Sequence, residues 1–386
     1  MKQARNIREM LHMLVLFRRA ARVVLLYSCH GLLNYWIRRR PVLKKSQIGL
    51  PGRDKIHPAV LYTTAISEKR PVFVVVAGTS AFARKRQRLN CFAKALALVG
   101  YHVIIVKNEN GQHIPGTIDP TEIGEIIEAV SLDERFDSSR IVLVGADFSS
   151  ACLLAAMNNA EALWKIHSFL FLSPVTDISS LINFAFRGRV KIRGRWFYRS
   201  SSVKIRLLYL LFVLKTGLSP DQFERVSGII SLLLSDRPTT AFQKVQTLES
   251  DIHHLLLAVY RGDMDTNAVR SLTEIYRRDL DASYSEAIPS CDLERPVFIV
   301  HSILDEDVDC GQGQLLWEKL SSSAGVYLHL TDFVLADGCR SLVTNPAKWV
   351  WGAFDMTRAL YRVLAYLYSD KNLPYNPTQT ALRMRI

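Results

Sequence analysis

The chain alternates short apolar runs with longer stretches in which apolar residues recur every three or four positions. Residues 71–77, 101–106, 140–145, 168–172, 296–300 and 326–330 are dominated by Val, Ile, Leu and Phe, as strands buried on both faces require. Residues 84–99, 120–132, 149–159, 312–322 and 350–368 carry the helical period instead. Apolar strands alternating with helices predict an α/β architecture with a mostly parallel sheet flanked by helices on both faces. The alternation stops near residue 176 and resumes near 288. The intervening stretch holds long apolar runs such as 207–214 and 229–234, which predict a helical insertion.

Ahead of the alternation the pattern differs. Met10, Met13, Phe17 and Val24 recur at spacings of three, four and seven, with Arg8, Arg19 and Arg22 on the other side of the helical wheel, which predicts a basic amphipathic helix. The apolar run 23–37 has fifteen residues and contains Ser28, His30 and Asn34, short of the roughly 20 that a span needs. It runs into Trp36, Ile37 and three arginines, with no small-residue cleavage site. Residues 41–58 contain Pro41, Gly49, Pro51, Gly52 and Pro58, a linker composition. The expected organisation is a basic N-terminal segment and linker over 1–58, a domain over 59–370 interrupted at about 176–288, and a tail over 371–386.

Charge sharpens this division. The net charge is +13, but residues 1–45 hold eleven Lys/Arg against Glu9, a surplus of 10, and residues 187–206 hold eight against no acid. The rest of the chain is therefore acidic by 5. In the second basic segment Trp196, Phe197 and Tyr198 sit among the cations, a mixture suited to a lipid headgroup layer or to single-stranded nucleic acid. Two basic, partly apolar elements on one chain point to peripheral attachment at an anionic membrane surface. A single N-terminal anchor, or helices simply packed on the domain with solvated arginines, are the alternatives. The acidic remainder and the lack of a nucleic-acid module argue against a nucleic-acid partner. The six cysteines are scattered, with no Cys/His cluster, so neither a disulfide framework nor a metal site is signalled. That suits a reducing, cytoplasmic setting, and no cofactor is implied.

Candidate chemistry lies where strands end. The strand 141–144 leads into Gly145-Ala146-Asp147-Phe148-Ser149, in which small residues flank a central acid between a strand and a helix. Ala77-Gly78-Thr79 follows the first strand, and His301-Ser302-Ile303-Leu304-Asp305-Glu306-Asp307-Val308 follows the penultimate one. Taken in order, these segments over residues 60–368 resemble the α/β-hydrolase superfamily. The first resembles its nucleophile elbow, the second its oxyanion-hole loop, and the third its stretch carrying the triad acid. The resemblance implies a cap in the 176–288 insertion, catalytic positions at Asp147 and Asp305, and ligand contacts from Gly78, Thr79 and Phe148.

The family's histidine is expected after the last strand, yet residues 331–342 contain none, and His329 falls inside the strand. Members with an aspartate at the elbow form an ester intermediate and still need a histidine to activate the water that releases it. The expectation is therefore a degenerate site that binds a lipid-like or acyl ligand, or a partner, without efficient turnover. An active hydrolase of esters or acyl-lipids, with Asp147 as its nucleophile, is the alternative. A rearranged site that recruits His113, His253 or His254, or the hydroxyl of Ser149 or Ser150, also stays open. The sequence leaves ligand identity and oligomeric state undetermined.

Overall fold

In the computed structural model of the chain, residues 2–28, 43–64, 69–76, 83–106, 120–159, 164–192, 194–234, 238–265, 267–271, 273–274, 295–321, 325–331 and 346–368 are described. The strands are β1 (Leu43–Pro51), β2 (Ile56–Thr64), β3 (Arg70–Val76), β4 (His102–Val106), β5 (Phe136–Ala146), β6 (Ile166–Leu172), β7 (Arg189–Ile192), β8 (Arg195–Tyr198), β9 (Val297–Ser302) and β10 (Val326–Thr331). The helices are α1 (Lys2–Ser28), α2 (Ala83–Val99), α3 (Pro120–Leu132), α4 (Ser149–Asn159), α5 (Ile178–Arg187), α6 (Val203–Gly217), α7 (Pro220–Leu234), α8 (Pro238–Val245), α9 (Ser250–Arg261), α10 (Cys310–Leu320) and α11 (Pro346–Tyr368).

Eight strands form one sheet in the order β1-β2-β4-β3-β5-β6-β9-β10, antiparallel at β1–β2 and β2–β4 and parallel elsewhere. This is the α/β-hydrolase fold, as the resemblance implies. The central strands are buried along their length because a helical layer covers each face. On one face α1, α2 and α11 enclose Phe73, Val103, Val144 and Phe298; on the other, α3, α4 and α10 enclose Val74, Ile104, Leu143 and Phe171.

Two expectations are corrected at the N-terminus. Residues 41–58 do not form a plain linker: β1 and β2 make a hairpin that starts the sheet, turning where Gly52 N–H donates to Lys55 C=O at 2.8 Å. The polar composition of β1 reflects its place at the sheet edge, where exposed Lys44 and Lys45 discourage further pairing. Likewise α1 has no single apolar stripe. Val24 is buried with Leu16, Ala20, Val23 and Leu26 against α2 and α11, whereas Met10, Met13, Leu14 and Phe17 are exposed. Apolar residues surround much of this helix, so the wheel alone does not say which face meets the domain. No described helix is long and apolar enough to cross a membrane.

Between β6 and β9, α5 through α9 build a separate apolar cluster that also takes in Phe148, Val175 and Val308 from the loops at the sheet's carboxyl edge. The insertion therefore lies over that edge. The basic segment at 187–199 contains the hairpin β7–β8, which packs on α10 with Lys191 C=O close against Gly311. Arg189 lies over the Trp196 ring at 4.8 Å. The two basic elements thus belong to opposite helical layers, α1 with α2 and α11, the hairpin with α10.

Candidate functional site

At the end of β5 the chain turns sharply. Asp147 has φ 52°, a left-handed conformation that non-glycine residues seldom adopt and that Asp tolerates better than most. Backbone bonds hold it there: Asp147 N–H donates to Leu172 C=O at 3.0 Å, and its carbonyl accepts from Ser150 N–H at 3.2 Å and Val175 N–H at 3.3 Å. The small neighbours are steric requirements. A Cβ on Gly145 would come within 2.7 Å of Leu153 Cδ1 and 3.2 Å of Ser150 Cα, so the turn from strand to helix closes only without one. The Ser149 hydroxyl accepts Ala146 N–H at 2.8 Å and lies 2.7 Å from the Val76 carbonyl at the end of β3. It fastens the elbow to the neighbouring strand, which gives Ser149 a structural role, and Ser150 is fully buried behind it.

Phe148, the next residue, points into the cap: its ring meets Tyr209 of α6 edge-on at 6.1 Å, and Phe186 lies 6.4 Å from the same tyrosine. The elbow is thereby roofed by aromatic side chains. Gly78 and Thr79 lie outside the described residues, as do His113 and the segment 332–345 that follows β10.

Asp305 occupies the turn after β9. Its Oδ1 accepts from Asp307 N–H at 2.9 Å and Val308 N–H at 3.1 Å, an Asx-type arrangement that shapes the loop. Behind it, fully buried His301 donates from Nε2 to Val308 C=O at 3.0 Å and packs so closely on α10 that a Cβ at Gly313 would approach its Nδ1 to 2.7 Å. Asp147 and Asp305 both sit at the carboxyl edge, on strands separated by β6, hence two strand spacings or about 10 Å apart along the sheet. Ligands of open α/β sheets bind in this crevice. A cavity of about 350 Å³ lined by Ser131, Ser139, Trp164, Lys165, His167 and Arg295 opens at the opposite, amino edge, away from both acids.

Of the remaining histidines, His329 points into the layer beneath α11, with Arg362 Nη1 3.3 Å from its Nε2. Burial, then Arg362 and Arg358, push its pKa down to about 3, so the ring is neutral and its nitrogen accepts from the guanidinium. His253 and His254 stack on each other on α9 at 5.5 Å.

Sequence reasoning missed the fastenings between cap and body. Buried Gln312 of α10 accepts Thr176 N–H at 2.9 Å and Asp177 N–H at 2.8 Å, and donates to Asp177 C=O at 3.0 Å and Ser180 Oγ at 2.5 Å. Ser202 caps α6 by accepting Ile205 N–H at 3.2 Å and donates its hydroxyl to Asp307, while its N–H reaches Glu306 C=O at 2.9 Å. The serine before the apolar helix was a readable capping signal. A lone Gln within a helix carries none.

No family model matches the chain, and no curated protein matches it. Among solved structures it is similar to an esterase of Pyrobaculum calidifontis, at TM-score 0.47 and 12% identity over 88% of each chain. It is also similar to a bacterial heroin esterase, at TM-score 0.46 and 15% identity over 87% of this chain and 89% of that one. A third likeness is to the acylaminoacyl peptidase of Pyrococcus horikoshii, at TM-score 0.42 and 12% identity over 86% of this chain; this chain covers 43% of the peptidase's length.

Proposed function

We propose that this α/β-hydrolase-fold protein sits peripherally at a membrane surface and that its cap-covered site around Asp147 binds an acyl or lipid-like ligand without efficient turnover. The observation that carries the reading is an intact elbow, Asp147 at φ 52°, beneath an apolar roof of Phe148, Tyr209 and Phe186. Such a lining rewards burial of hydrocarbon. The sequence after β10 offers no histidine to activate a water that would release an ester formed on Asp147, and neutral His329 is already engaged by Arg362.

A second reading, hydrolysis of esters or acyl-lipids with Asp147 as nucleophile and Asp305 as its partner acid, is favoured by the left-handed turn, which is the conformation an elbow nucleophile needs. One experiment separates the two. The protein is titrated with a fluorescent long-chain fatty acid and assayed with aryl esters of short and long acyl chains, alongside Asp147→Asn. Saturable binding with turnover at background in both forms supports the first reading. Burst-phase hydrolysis abolished by Asp147→Asn establishes the second, and absence of both binding and turnover removes the acyl-ligand reading.

A further inference from the structure

We infer that the protein meets an anionic lipid bilayer through one composite face, built from the first half of α1 and the start of α11. The inference deepens the peripheral-membrane reading by naming the face that docks. On α1, Met10, Met13, Leu14 and Phe17 are spaced by three and four residues and are all exposed, Leu14 at 57%. On α11, Val350, Trp351 and Phe354 share one face by the same spacing, with Trp351 at 69% exposure. The Phe17 ring stands 6.5 Å from Phe354 and 5.8 Å from Tyr361, which joins the two stripes into one apolar surface contributed by segments more than 300 residues apart in sequence. Scattered apolar side chains on a surface are ordinary, whereas a contiguous patch marks a contact site.

Charge selects the occupant. Arg18 is exposed beside Phe17, and Arg358 is exposed one turn beyond Phe354. Exposed Arg18 and Arg358 thus border the apolar face with positive charge, and the two helices together carry nine Lys/Arg against two acids in sequence, a balance that suits an anionic surface. Trp351 suits headgroup depth, where its ring is half in hydrocarbon and its N–H stays hydrated. Because Leu16, Ala20, Val23, Val24 and Leu26 are committed to the core, α1 lies along the bilayer plane and does not cross it. The aromatic hairpin β7–β8 packs in the opposite layer, on α10, so the structure assigns lipid contact to α1 and α11 and leaves the hairpin out of it.

The test uses the full chain and sedimentation with vesicles of phosphatidylcholine alone or with added phosphatidylglycerol. The intact protein is expected to sediment with the anionic vesicles, and less so as salt is raised. Trp351→Ser combined with Phe354→Ser, both on exposed positions, should lower the bound fraction about tenfold with an unchanged melting curve. Trp196→Ser combined with Tyr198→Ser should leave binding intact. If the intact protein ignores both vesicles, the membrane reading itself fails. If it binds and the α11 variant binds equally, or only the hairpin variant loses binding, membrane attachment stands and this face is wrong. If the chain is dimeric in solution, ignores vesicles and becomes monomeric in the α11 variant, the face belongs to a second copy and the inference is overturned.

Discussion

Replacing Asp309 by Asn is expected to change the slope with which folding stability depends on pH. Asp309 precedes α10, and its pKa is raised from 3.8 to about 7, chiefly by burial, with Asp305 adding to the rise and hydrogen bonds from Gln312 and Gly311 opposing it. Between those values the folded chain holds a proton that the unfolded chain has released, so this group's stabilisation is complete at low pH and is lost as pH rises towards 7. His329 acts in the opposite sense. Its pKa falls from 6.5 to about 3, so across that window the unfolded chain binds a proton that the folded chain does not, and stability is lost as pH falls. His102, lowered by burial and then by Arg70 and Arg135, works in the same direction as His329. One proton of difference is worth about 1.4 kcal/mol per pH unit. From pH 4 to 6.5 Asp309 and His329 offset one another, and the intact protein is expected to show a shallow profile. Asn is close to Asp in shape but cannot titrate, so Asp309→Asn should lose stability on acidification more steeply than the parent, by about 1.4 kcal/mol per unit. His329→Leu should show the reverse, becoming more stable as pH falls. Urea unfolding at intervals across the window reads both slopes. Profiles for Asp309→Asn and the parent that run parallel to within about 0.3 kcal/mol per unit would refute the argument.

Gln312→Leu should cost about 3 kcal/mol or more in urea unfolding, because the Thr176 and Asp177 N–H groups and the Asp177 carbonyl lose their partner at about 1–3 kcal/mol each; a loss below about 1 kcal/mol would mean water replaces the side chain freely. Removing residues 1–28 should give an aggregating or dye-binding chain, since Leu16, Val23, Val24 and Leu26 each contribute about 1.5–3 kcal/mol against a net stability of about 5–15 kcal/mol. A truncated chain with parental near-ultraviolet circular dichroism would show that α1 is dispensable to the core.

The parallel sheet was legible because its strands are buried on both faces and so leave an unbroken apolar signature. Residues 141–144 and 168–172 fall within β5 and β6, and 296–300 overlaps β9 from Val297 on. The strands that were missed are those under weaker constraint. β1 buries only Leu50 and presents lysines at the edge, so its composition reads as linker. β7 and β8 are four-residue strands whose aromatics face solvent and guanidinium groups. The elbow was readable because tight packing admits only small residues at Gly145 and Ser149. The fastenings at Gln312, Ser202 and Asp307 depend on chain segments more than 100 residues apart, and local pattern carries no trace of such pairings.

The elbow itself bears on how far geometry speaks for chemistry. A left-handed non-glycine residue costs on the order of 1–3 kcal/mol and persists only where its surroundings over-determine it. Here the surroundings are backbone groups and a neighbour: Leu172 C=O, the N–H groups of Ser150 and Val175, and the Ser149 hydroxyl bridging Ala146 and Val76. None of those bonds involves the Asp147 side chain. These bonds set the turn where β5 meets α4 against β3 and β6. The cap is joined to the body through Phe148, Gln312 and Ser202. The elbow and its roof are thus held by backbone groups, a serine hydroxyl and aromatic packing.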